Sequence, residues 1–500
     1  MHTLLVANRG EIAVRILRAA REFGLRTVAV YSDADRDAPH TQLADAAYRL
    51  GPPEPASSYL DSARILAVAH SSGADAVHPG YGFLAENAAF AEDCRQAGLI
   101  YVGPSAEAIH QMGSKILSKQ IAARAGVPVV PSYHAPDGAT LAQHGPERAA
   151  RMGYPVLVKA SAGGGGKGMR LVQGPADLLA ALEAGAREAQ QAFGDATLML
   201  EKYIPQPRHI EVQVLGDHFG HYVHLYEREC SIQRRYQKII EETPSPAVDA
   251  DLRQRLTSAA LRLAAAVQYS NAGTVEFLVG ADGAFYFLEM NTRLQVEHPI
   301  TELVTGIDLV HQQLRMARGE PLALTQAEIS QRGHAIECRL YAEDPAHNFL
   351  PATGRIRVLR EPHGPGRRID SGIAVQQEVT PYYDPILAKL VGYGATRQEA
   401  LLRIQALLRE YTILGVTTNR QFLLDVVSSP AFAAGETDTA FLTRHFAAWP
   451  PEVPVSDDIL ALAALAEFLQ QPQATRPLLA TAPALTPWQR ADGWRLGGRA

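Results

Sequence analysis

The chain has 500 residues and a formal net charge of -6 at neutral pH, with 47% hydrophobic and 20% charged residues. A chain of this length exceeds one hydrophobic core, so we expect two to four domains. The slightly acidic balance argues against broad binding of nucleic acid, although a local cluster of Lys and Arg can still hold an anionic ligand.

The three cysteines, Cys94, Cys230 and Cys338, are widely spaced and form no CxxC pair. This pattern predicts neither a disulfide framework nor a structural zinc site, and it is typical of a reducing compartment. The apolar run at the N-terminus is too short for a signal peptide, and no stretch is long enough to span a bilayer. We therefore expect a cytoplasmic enzyme with neither a membrane partner nor a nucleic-acid partner.

The N-terminal segment predicts alternating strands and helices. Residues 3–7, TLLVA, predict a buried strand, followed by a helix through about Phe23 and a second strand, RTVAVYS. The runs ADAVHPG and LIYVGPS predict further strands of the same parallel sheet. No GxGxxG follows the first strand, so NAD binding is not inferred, and HPGYGF at 78–83 predicts a tight turn. The segment at about 113–131 predicts one helix closed by Gly126.

Four consecutive glycines occur in SAGGGGKGMR, residues 161–170, between the strand-like runs PVLVKA and MRLVQG. A Walker A loop has Ser or Thr after its Lys and opens a helix, whereas Lys167 is followed by Gly168 and a strand-like run. A flexible linker is one alternative. The other, which we favour, is a hairpin whose backbone N–H groups approach a phosphate, with Lys159 adding a positive charge.

The stretch GTVEFLVGADGAFYFLEMN predicts a second hairpin, with Asp282 and Gly283 as a two-residue type I′ turn. In that register Glu276 faces Glu289, and Asn291 lies on the same side. Like charges that face each other destabilise a hairpin unless a cation neutralises them. Two Glu and one Asn form an all-oxygen ligand set that suits Mg²⁺. The alternative is that one of the carboxylates faces solvent.

Polar residues continue beyond this hairpin. If the strand continues, Arg293, Gln295 and Glu297 share one face with Glu289 and Asn291. A solvated edge is one explanation of this pattern. Beside a metal pair, we interpret it as a polar site with an anion-binding Arg and a base.

Basic residues cluster in CSIQRRYQKII, with Arg234, Arg235 and Lys238, and Arg339 follows in ECRLYAEDP. A basic surface is the usual explanation of such clusters, but phosphates and acids need balancing charge, so we place part of this charge in the site. The remaining residues, 447–482, are rich in Pro and Ala and include one predicted amphipathic helix, DILALAALAEFLQQ. The final PWQRADGWRLGGRA predicts the start of a strand.

Several long motifs occur in one order along residues 1 to about 446: ANRGEIAVRI, HPGYGFLAEN, KASAGGGGKGMR, EKYIPQPRHIEVQV, ERECSIQRR, EMNTRLQVEHPITE, and AEDP with FLPATG. Together they resemble the biotin carboxylase component (alpha subunit) of biotin-dependent acyl-CoA carboxylases. The resemblance implies an α/β (α+β overall) ATP-grasp fold with a Rossmann-like N-terminal domain and a glycine-loop lid. We expect domains at 1–113, 114–330 (lid about 132–203) and 331–446, the last a biotin carboxylase C-terminal domain, and a tail at 447–500.

The resemblance implies an ATP site by motif match. Its lid loop, with Gly165 and Gly166, would close over the phosphates. The adenine-binding hinge would be Glu201, Lys202, Tyr203 and Ile204. The remaining ATP-binding residues would be Lys115, Lys159, His209, Gln233, Tyr236, Glu276 and Glu289, and Mg²⁺ or Mn²⁺ would be held by Glu276, Glu289 and Asn291.

The resemblance further implies a reaction between bicarbonate, ATP and biotin. Bicarbonate would be bound by Lys238, Arg293, Gln295 and the Val296 backbone. Glu297 would remove its proton, and the carbonate would attack the γ-phosphate to give carboxyphosphate and ADP. Arg339 would bind biotin and stabilise its enolate-like form. The expected catalytic residues are therefore Lys238, Arg293, Glu297 and Arg339.

One position departs from the family pattern. Residue 236 is Tyr, whereas many relatives have His or Asn there, near the ATP ribose. A phenol can still donate a hydrogen bond to a hydroxyl group, but it is bulkier. The departure therefore leaves nucleotide affinity and ribose placement open.

No Met-Lys-Met motif occurs, so we expect biotin on a separate carrier protein or beyond Ala500. The other expected partners are a carboxyltransferase (beta) subunit and a second copy, in a homodimer or larger complex. PWQRADGWRL resembles a junction in methylcrotonyl- or geranyl-type alpha subunits. The alternatives are another ATP-grasp carboxylate ligase, which Arg339 and RLQVEH disfavour, and an inactive nucleotide-binding scaffold. The sequence does not identify the acyl-CoA.

Overall fold

The N-terminal part of the chain forms a parallel sheet. This computed structural model describes residues 1–160, 169–450 and 457–470. The strands of this sheet are β1 (Thr3–Val6), β2 (Arg26–Ser32), β3 (Ala46–Gly51), β4 (Ala76–His78) and β5 (Ile100–Tyr101). The surrounding helices are α1 (Gly10–Glu22), α2 (Pro39–Leu43), α3 (Ser62–Ser72), α4 (Ala88–Gln96) and α5 (Ala106–Gly113).

The strands of this sheet lie in the spatial order β3-β2-β1-β4-β5. The predicted strands in TLLVA, RTVAVYS, ADAVHPG and LIYVGPS are confirmed. All four residues of β1 are buried, which is typical of a parallel strand that is covered on both faces. The turn HPGYGF after β4 is held by Asn8, whose Nδ2 donates to the carbonyls of Pro79 and Tyr81 at 2.7 and 2.8 Å.

Helix α6 (Lys115–Arg124) is the one helix predicted within the segment at about 113–131. Ser114 caps it, because its hydroxyl accepts a hydrogen bond from the Leu117 N–H at 3.3 Å. At the other end Gly126 has a φ of +68°, which is the left-handed conformation that ends helices and was predicted at this residue.

The next segment forms a small four-stranded sheet with two helices. Its elements are β6 (Ser132–His134), α7 (Gly138–Met152), β7 (Val156–Ala160), β8 (Arg170–Val172), α8 (Leu178–Phe193) and β9 (Leu198–Lys202). The two strands that flank the glycine run, β7 and β8, pair in antiparallel fashion, with Val158 opposite Arg170. This pairing agrees with the predicted hairpin, whereas Gly165 and Gly166 lie outside the described residues.

A large antiparallel sheet follows, with small strand pairs at its margin. The strands after β9 are β10 (Arg208–Gly216), β11 (Tyr222–Arg234), β12 (Gln237–Thr243), β13 (Asn271–Val279), β14 (Phe285–Asn291), β15 (His334–Tyr341), β16 (Glu343–Asp344), β17 (Leu350–Pro351), β18 (Gly354–Arg355), β19 (Val358–Arg360), β20 (Arg367–Ser371), β21 (Glu378–Val379), β22 (Ile386–Gly394) and β23 (Thr412–Leu414). Eight of them form one sheet in the order β14-β13-β10-β11-β12-β15-β22-β20.

Helices cover both faces of this sheet. The face of Val212 and Ile336 is covered by α9 (Ala250–Ala266), α12 (Arg397–Glu410), α13 (Arg420–Ser428), α14 (Pro430–Ala433) and α15 (Phe441–His445). Helices α10 (His298–Thr305) and α11 (Leu309–Ala317) pack on the opposite face, in clusters with Val391 and with Leu215. In β10, Ile210, Val212 and Val214 join the buried cluster that includes the leucines of α9. Because side chains alternate along a strand, the intervening residues, among them Glu211, project to the opposite, polar side. The functional site lies on that side.

Residues from Pro450 onward belong to a separate unit from Met1–Trp449. The helix predicted in DILALAALAEFLQQ is confirmed as α16 (Asp457–Gln470), in which large apolar side chains such as Leu462 and Phe468 are exposed. The predicted final strand in PWQRADGWRLGGRA lies outside the described residues. Across the described part of the chain, no helix combines the length and apolar character needed to cross a bilayer.

Candidate active site

A cavity of about 1050 Å³ lies between the polar side of the large sheet, the small sheet and the N-terminal segment. Of the described residues predicted to form the site, all but Glu297 line this cavity. They are Lys115, Lys159, Glu201, Lys202, Tyr203, Ile204, His209, Gln233, Tyr236, Lys238, Glu276, Glu289, Asn291, Arg293, Gln295, Val296 and Arg339. Residues far apart in the sequence are thus brought together at one place.

Lys238 lies at the centre of the buried charges. Its ammonium donates hydrogen bonds to Glu211 at 2.5 Å, Glu276 at 2.6 Å and Glu297 at 2.9 Å. Burial opposes the charge of Lys238, but the three carboxylates outweigh it and raise its pKa well above the ordinary value. Lys238 is therefore a fixed cation at neutral pH.

Glu297 lies behind the cavity wall with no exposed surface. Its second oxygen accepts a hydrogen bond from Arg339 at 2.9 Å, and Arg339 also donates to Glu241 at 2.6 Å. Burial alone raises the pKa of a carboxyl group. Here Lys238, Arg339 and Arg228 overcome that effect and hold the pKa of Glu297 well below its usual range. Glu297 is therefore ionised at neutral pH.

The predicted facing of Glu276 and Glu289 on β13 and β14 is confirmed, as is that of Thr274 and Asn291. The predicted two-residue turn is wrong. The Gly280 N–H donates to Ala284 at 2.8 Å, so three residues form the loop. A bulge next to Glu276 then inserts one extra residue on β14, which restores the predicted pairing at the site.

The two carboxylates have different surroundings. Glu276 is buried and accepts hydrogen bonds from His209, Lys238 and Asn291, each at 2.6 Å. Glu289 is exposed to the cavity, so the alternative in which one carboxylate faces solvent holds in part. Its partial withdrawal from water and the charge of Glu276 raise the pKa of Glu289. A cation at this position relieves that repulsion.

The donor chemistry therefore fits a hard divalent cation. Glu276 and Glu289 offer carboxylate oxygens and Asn291 an amide oxygen, which is the ligand type that Mg²⁺ prefers. The Asn291 oxygen accepts a hydrogen bond from the Arg293 guanidinium at 3.0 Å, so this oxygen already faces a positive charge.

Strand β14 does not continue to residue 297, which was the condition for Arg293, Gln295 and Glu297 to share one strand face. The strand ends at Asn291, and Glu297 immediately precedes α10. The loop between them still presents its polar groups to the cavity, because Glu86 holds it. Glu86 accepts hydrogen bonds from the Thr292 N–H at 3.0 Å and from Arg293 Nε at 2.9 Å.

This loop forms a pocket for an anion. Arg293 is fixed by Glu86 and also donates to the Gln295 oxygen at 3.1 Å. The amide nitrogen of Gln295 is buried and has no hydrogen-bond partner within the described ranges. An unused donor beside a guanidinium group matches an oxyanion ligand.

The cavity also contains a lysine-rich wall. The buried carboxylate of Glu201 contacts the Nζ atoms of both Lys119 and Lys159. Burial alone would raise the pKa of Glu201, but the two lysines lower it. The Glu201 side chain is thus committed to ion pairs, while Lys202, Tyr203 and Ile204 line the adjacent cavity wall.

Tyr236 lies at the tip of the hairpin between β11 and β12. It and Arg235 both have positive φ values, 65° and 48°, as a two-residue turn with Arg234 opposite Gln237 requires. Its side chain is 65% exposed at the cavity mouth. Only part of the basic cluster predicted in CSIQRRYQKII lines the cavity. Arg235 does so, whereas Arg234 pairs with Glu343.

Several residues of the site were missed by the sequence analysis. They are Glu86, Lys119, Glu211, Arg228, Glu241 and Lys389, each of which makes an ion pair with a charged residue distant in the sequence. Alternation with apolar residues around Glu211 was the one local signal that pointed to the polar side of the sheet. The three cysteines are buried and free, as expected.

Three segments match known families. Residues 1–109 match "Biotin carboxylase, N-terminal domain", residues 114–325 match "Carbamoyl-phosphate synthase L chain, ATP binding domain", and residues 337–444 match "Biotin carboxylase C-terminal domain". The domain boundaries predicted above remain predictions.

Individual proteins are similar over most of the chain. The alpha subunit of methylcrotonoyl-CoA carboxylase from Rattus norvegicus is 47% identical over 99% of this chain and 69% of its own length. Biotin carboxylase from a Nostoc species is 50% identical over 88% of this chain and 98% of its own.

A solved structure has the same fold. The biotin carboxylase domain of the 2-oxoglutarate carboxylase from Hydrogenobacter thermophilus, in complex with MgADP, ADP and bicarbonate, superimposes with a TM-score of 0.84. It is 43% identical and covers 89% of this chain and 97% of its own. The ATP-grasp fold and the family resemblance read from the motifs are thereby confirmed, and this chain belongs to the biotin carboxylase family.

Proposed function

We propose that this protein carboxylates biotin with bicarbonate and ATP, the first half-reaction of a biotin-dependent acyl-CoA carboxylase. The observation that carries this proposal is the position of Glu297. It is an ionised carboxylate held between Lys238 and Arg339, next to an oxyanion pocket formed by Arg293 and Gln295. Family membership and the fold support the same assignment.

In this proposal the residues around Glu297 bind bicarbonate and biotin and transfer the proton. Arg293, Gln295 and the Val296 backbone bind bicarbonate, and Lys238 neutralises it. Glu297 removes its proton, so that the resulting carbonate attacks the γ-phosphate of ATP to give ADP and carboxyphosphate. Carboxyphosphate then splits into CO₂ and phosphate, the phosphate takes the proton of biotin N1, and N1 attacks CO₂ to give carboxybiotin. Arg339 holds the carbonyl oxygen of the biotin ring, where negative charge develops as N1 loses that proton.

Nucleotide binding belongs to the other end of the cavity. Lys115, Lys159 and His209 would contact ATP, with Glu201 to Ile204 as the adenine hinge, and Gln233 and Tyr236 would also contact the nucleotide. Glu276, Glu289 and Asn291 would hold Mg²⁺ or Mn²⁺, which neutralises phosphate charge when bound. Glu276 is already oriented by His209 and Lys238.

The test is the release of ADP from the purified protein with Mg²⁺, with and without bicarbonate and with free biotin added. We expect release that depends on bicarbonate and rises with biotin. The Glu297→Gln variant is expected to lower it about 10²- to 10⁴-fold, as loss of a general base does. Glu227→Gln is the matched control, because Glu227 is a buried carboxylate of β11 that pairs with Arg253 outside the cavity. Release independent of bicarbonate would contradict the proposal.

We further propose that the chain acts as an alpha subunit of methylcrotonoyl type, with biotin on a carrier domain and a carboxyltransferase beta subunit as partners. In support, the rat alpha subunit aligns with 99% of this chain, whereas the Nostoc biotin carboxylase aligns with 88%. The test supplies a biotinylated carrier domain and a beta subunit that uses methylcrotonoyl-CoA. Transfer of labelled bicarbonate to that CoA ester is expected. Label that stops at the carrier would contradict this second proposal alone.

A further inference from the structure

Lys389 lies next to the site but outside the cavity wall. It belongs to β22, where it lies directly opposite Arg339 of β15, and its side chain has no exposed surface. A fully buried Lys is rare unless it is paired, because removing an ammonium group from water is costly. Its partners therefore indicate what it does.

The ammonium of Lys389 joins three separate parts of the chain. It donates a hydrogen bond to the Val296 carbonyl at 3.0 Å, lies 3.1 Å from a Glu11 oxygen on α1, and lies 3.6 Å from Asp370 on β20. The Val296 carbonyl accepts one of its donor hydrogens, and the two carboxylates neutralise its charge. Lys389 thus connects the N-terminal segment, the C-terminal part of the large sheet and the anion-binding loop.

The charge of Lys389 is stable in this environment. Burial opposes the charge, but Glu11 and Asp370 outweigh it and raise the pKa of Lys389. Both acids are held in turn. Asp370 accepts two hydrogen bonds from Arg368 at 2.9 Å, and Glu11 accepts one from the Tyr81 hydroxyl. The ammonium is therefore held at a fixed point.

The contact with the Val296 carbonyl bears on the base. That carbonyl belongs to the peptide unit joining Val296 to Glu297, so its direction constrains the backbone of Glu297 where α10 begins. Lys238 and Arg339 hold the Glu297 carboxylate from the cavity side. Lys389 holds the same residue by its backbone.

We propose that Lys389 is a positioning residue, which fixes the loop from Arg293 to Glu297 so that its anion pocket and base keep their geometry. This inference rests on the proposed function, because the loop binds bicarbonate there. Lys389 does not touch the substrate. It acts through the Val296 peptide.

The test is the kinetics of Lys389→Met, which removes the hydrogen bond and keeps the length of the side chain. We expect the KM for bicarbonate to rise about 10-fold or more, as loss of a buried hydrogen bond from a charged donor does, with the KM for ATP unchanged. If Lys389 only stabilised the fold, Lys389→Met would lower the amount of active enzyme and would leave the KM values for bicarbonate and ATP unchanged. An unchanged KM for bicarbonate in a folded variant would overturn the inference.

Two further variants keep the test decisive if Lys389→Met folds poorly. Lys389→Met with Glu11→Gln removes both charges, which restores electrical balance but not the hydrogen bond to Val296. It should keep the raised KM for bicarbonate, and a wild-type KM would overturn the inference. Arg397→Met is the control. It breaks the ion pair between Arg397 of α12 and Glu242 of β12, away from the cavity, and should leave both KM values unchanged.

The wild-type enzyme separates the two proposals. If wild-type ADP release does not depend on bicarbonate, the proposed function fails before Lys389 is considered. If wild-type release does depend on bicarbonate and Lys389→Met leaves its KM unchanged, only the positioning role fails.

Discussion

Glu276 and Glu289 face each other across two antiparallel strands, but only Glu276 is enclosed by protein groups. His209 and Lys238 supply positive charge to Glu276, whereas Glu289 opens to the cavity. One carboxylate of the pair is thus neutralised internally, and the other is left to an incoming cation. We therefore expect metal binding to depend strongly on the charge of Glu289.

Replacing Glu289 by Gln should therefore weaken metal binding more than it disturbs the fold. The variant keeps the size of the side chain and removes a charge that burial and Glu276 disfavour, so its free energy of unfolding should not fall. The Mg²⁺ concentration for half-maximal ADP release should rise about 10-fold or more, because one carboxylate ligand is lost. Glu320→Gln, which removes a half-buried carboxylate outside the cavity, serves as control. Equal Mg²⁺ dependence in both variants would contradict the assignment.

The pairing of Glu276 with Glu289 was predicted correctly although two features of the hairpin were not. The loop is one residue longer than predicted, and a bulge on β14 compensates for that difference. The turn was taken as two residues, Asp282 and Gly283, but Gly280 pairs with Ala284 and three residues form the loop. The extra residue near Glu276 then returns the register to the predicted one. Bulges arise from twist and packing across the whole sheet, so a strand's own residues give no signal of them.

The charge network shows the same limit. The sequence could place Glu276, Glu289 and Asn291 on one side of the hairpin, because the alternation of side chains along a strand depends only on neighbouring residues. The partners of Lys238 could not be predicted, since Glu211 and Glu297 come close only after distant strands pair. The anion-binding loop was predicted by its residue types but not by its shape, because Glu86 of the N-terminal segment sets that shape.

Lys119 should control how readily Lys159 turns to the nucleotide. Both lysines contact Glu201, so Lys119 keeps that carboxylate neutralised when Lys159 leaves it for a phosphate. In Lys119→Met, Glu201 should hold Lys159 alone and more firmly, and the KM for ATP should rise about 10-fold. Adding Glu201→Gln to that variant should reverse most of the increase. A KM that stays high in the double variant would show that Lys119 binds the nucleotide itself.

Tyr236 should cost the protein stability because of its backbone conformation. Left-handed φ values are unfavourable by about 1–2 kcal/mol for most residues, and Asn tolerates them better. Since the ring is 65% exposed, Tyr236→Asn loses little buried surface and should raise the free energy of unfolding by about 1 kcal/mol. Urea denaturation measures this change. Tyr382→Asn, an exposed Tyr without positive φ, should bring no gain, and equal effects in both variants would contradict the argument.

His78 should make the protein sensitive to mild acid. It is fully buried, with the Gly80 N–H donating to Nδ1 at 3.0 Å and Nε2 3.1 Å from the Gln313 oxygen, so the ring is neutral. Burial lowers its pKa to about 4, against about 6.5 in the unfolded chain. As pH falls through this interval the unfolded state binds a proton that the folded state does not. The contribution of His78 to the free energy of unfolding should therefore fall, by up to about 3 kcal/mol.

Urea denaturation at a series of pH values between 7 and about 4 measures this slope. His78→Asn keeps an oxygen acceptor for the Gly80 N–H but has no titrating ring, so its slope should be smaller whatever its stability at neutral pH. His218→Asn, which replaces an exposed histidine, should keep the wild-type slope. If His78→Asn also keeps the wild-type slope, other groups such as buried His40, whose pKa burial likewise lowers to about 4, account for the acid sensitivity.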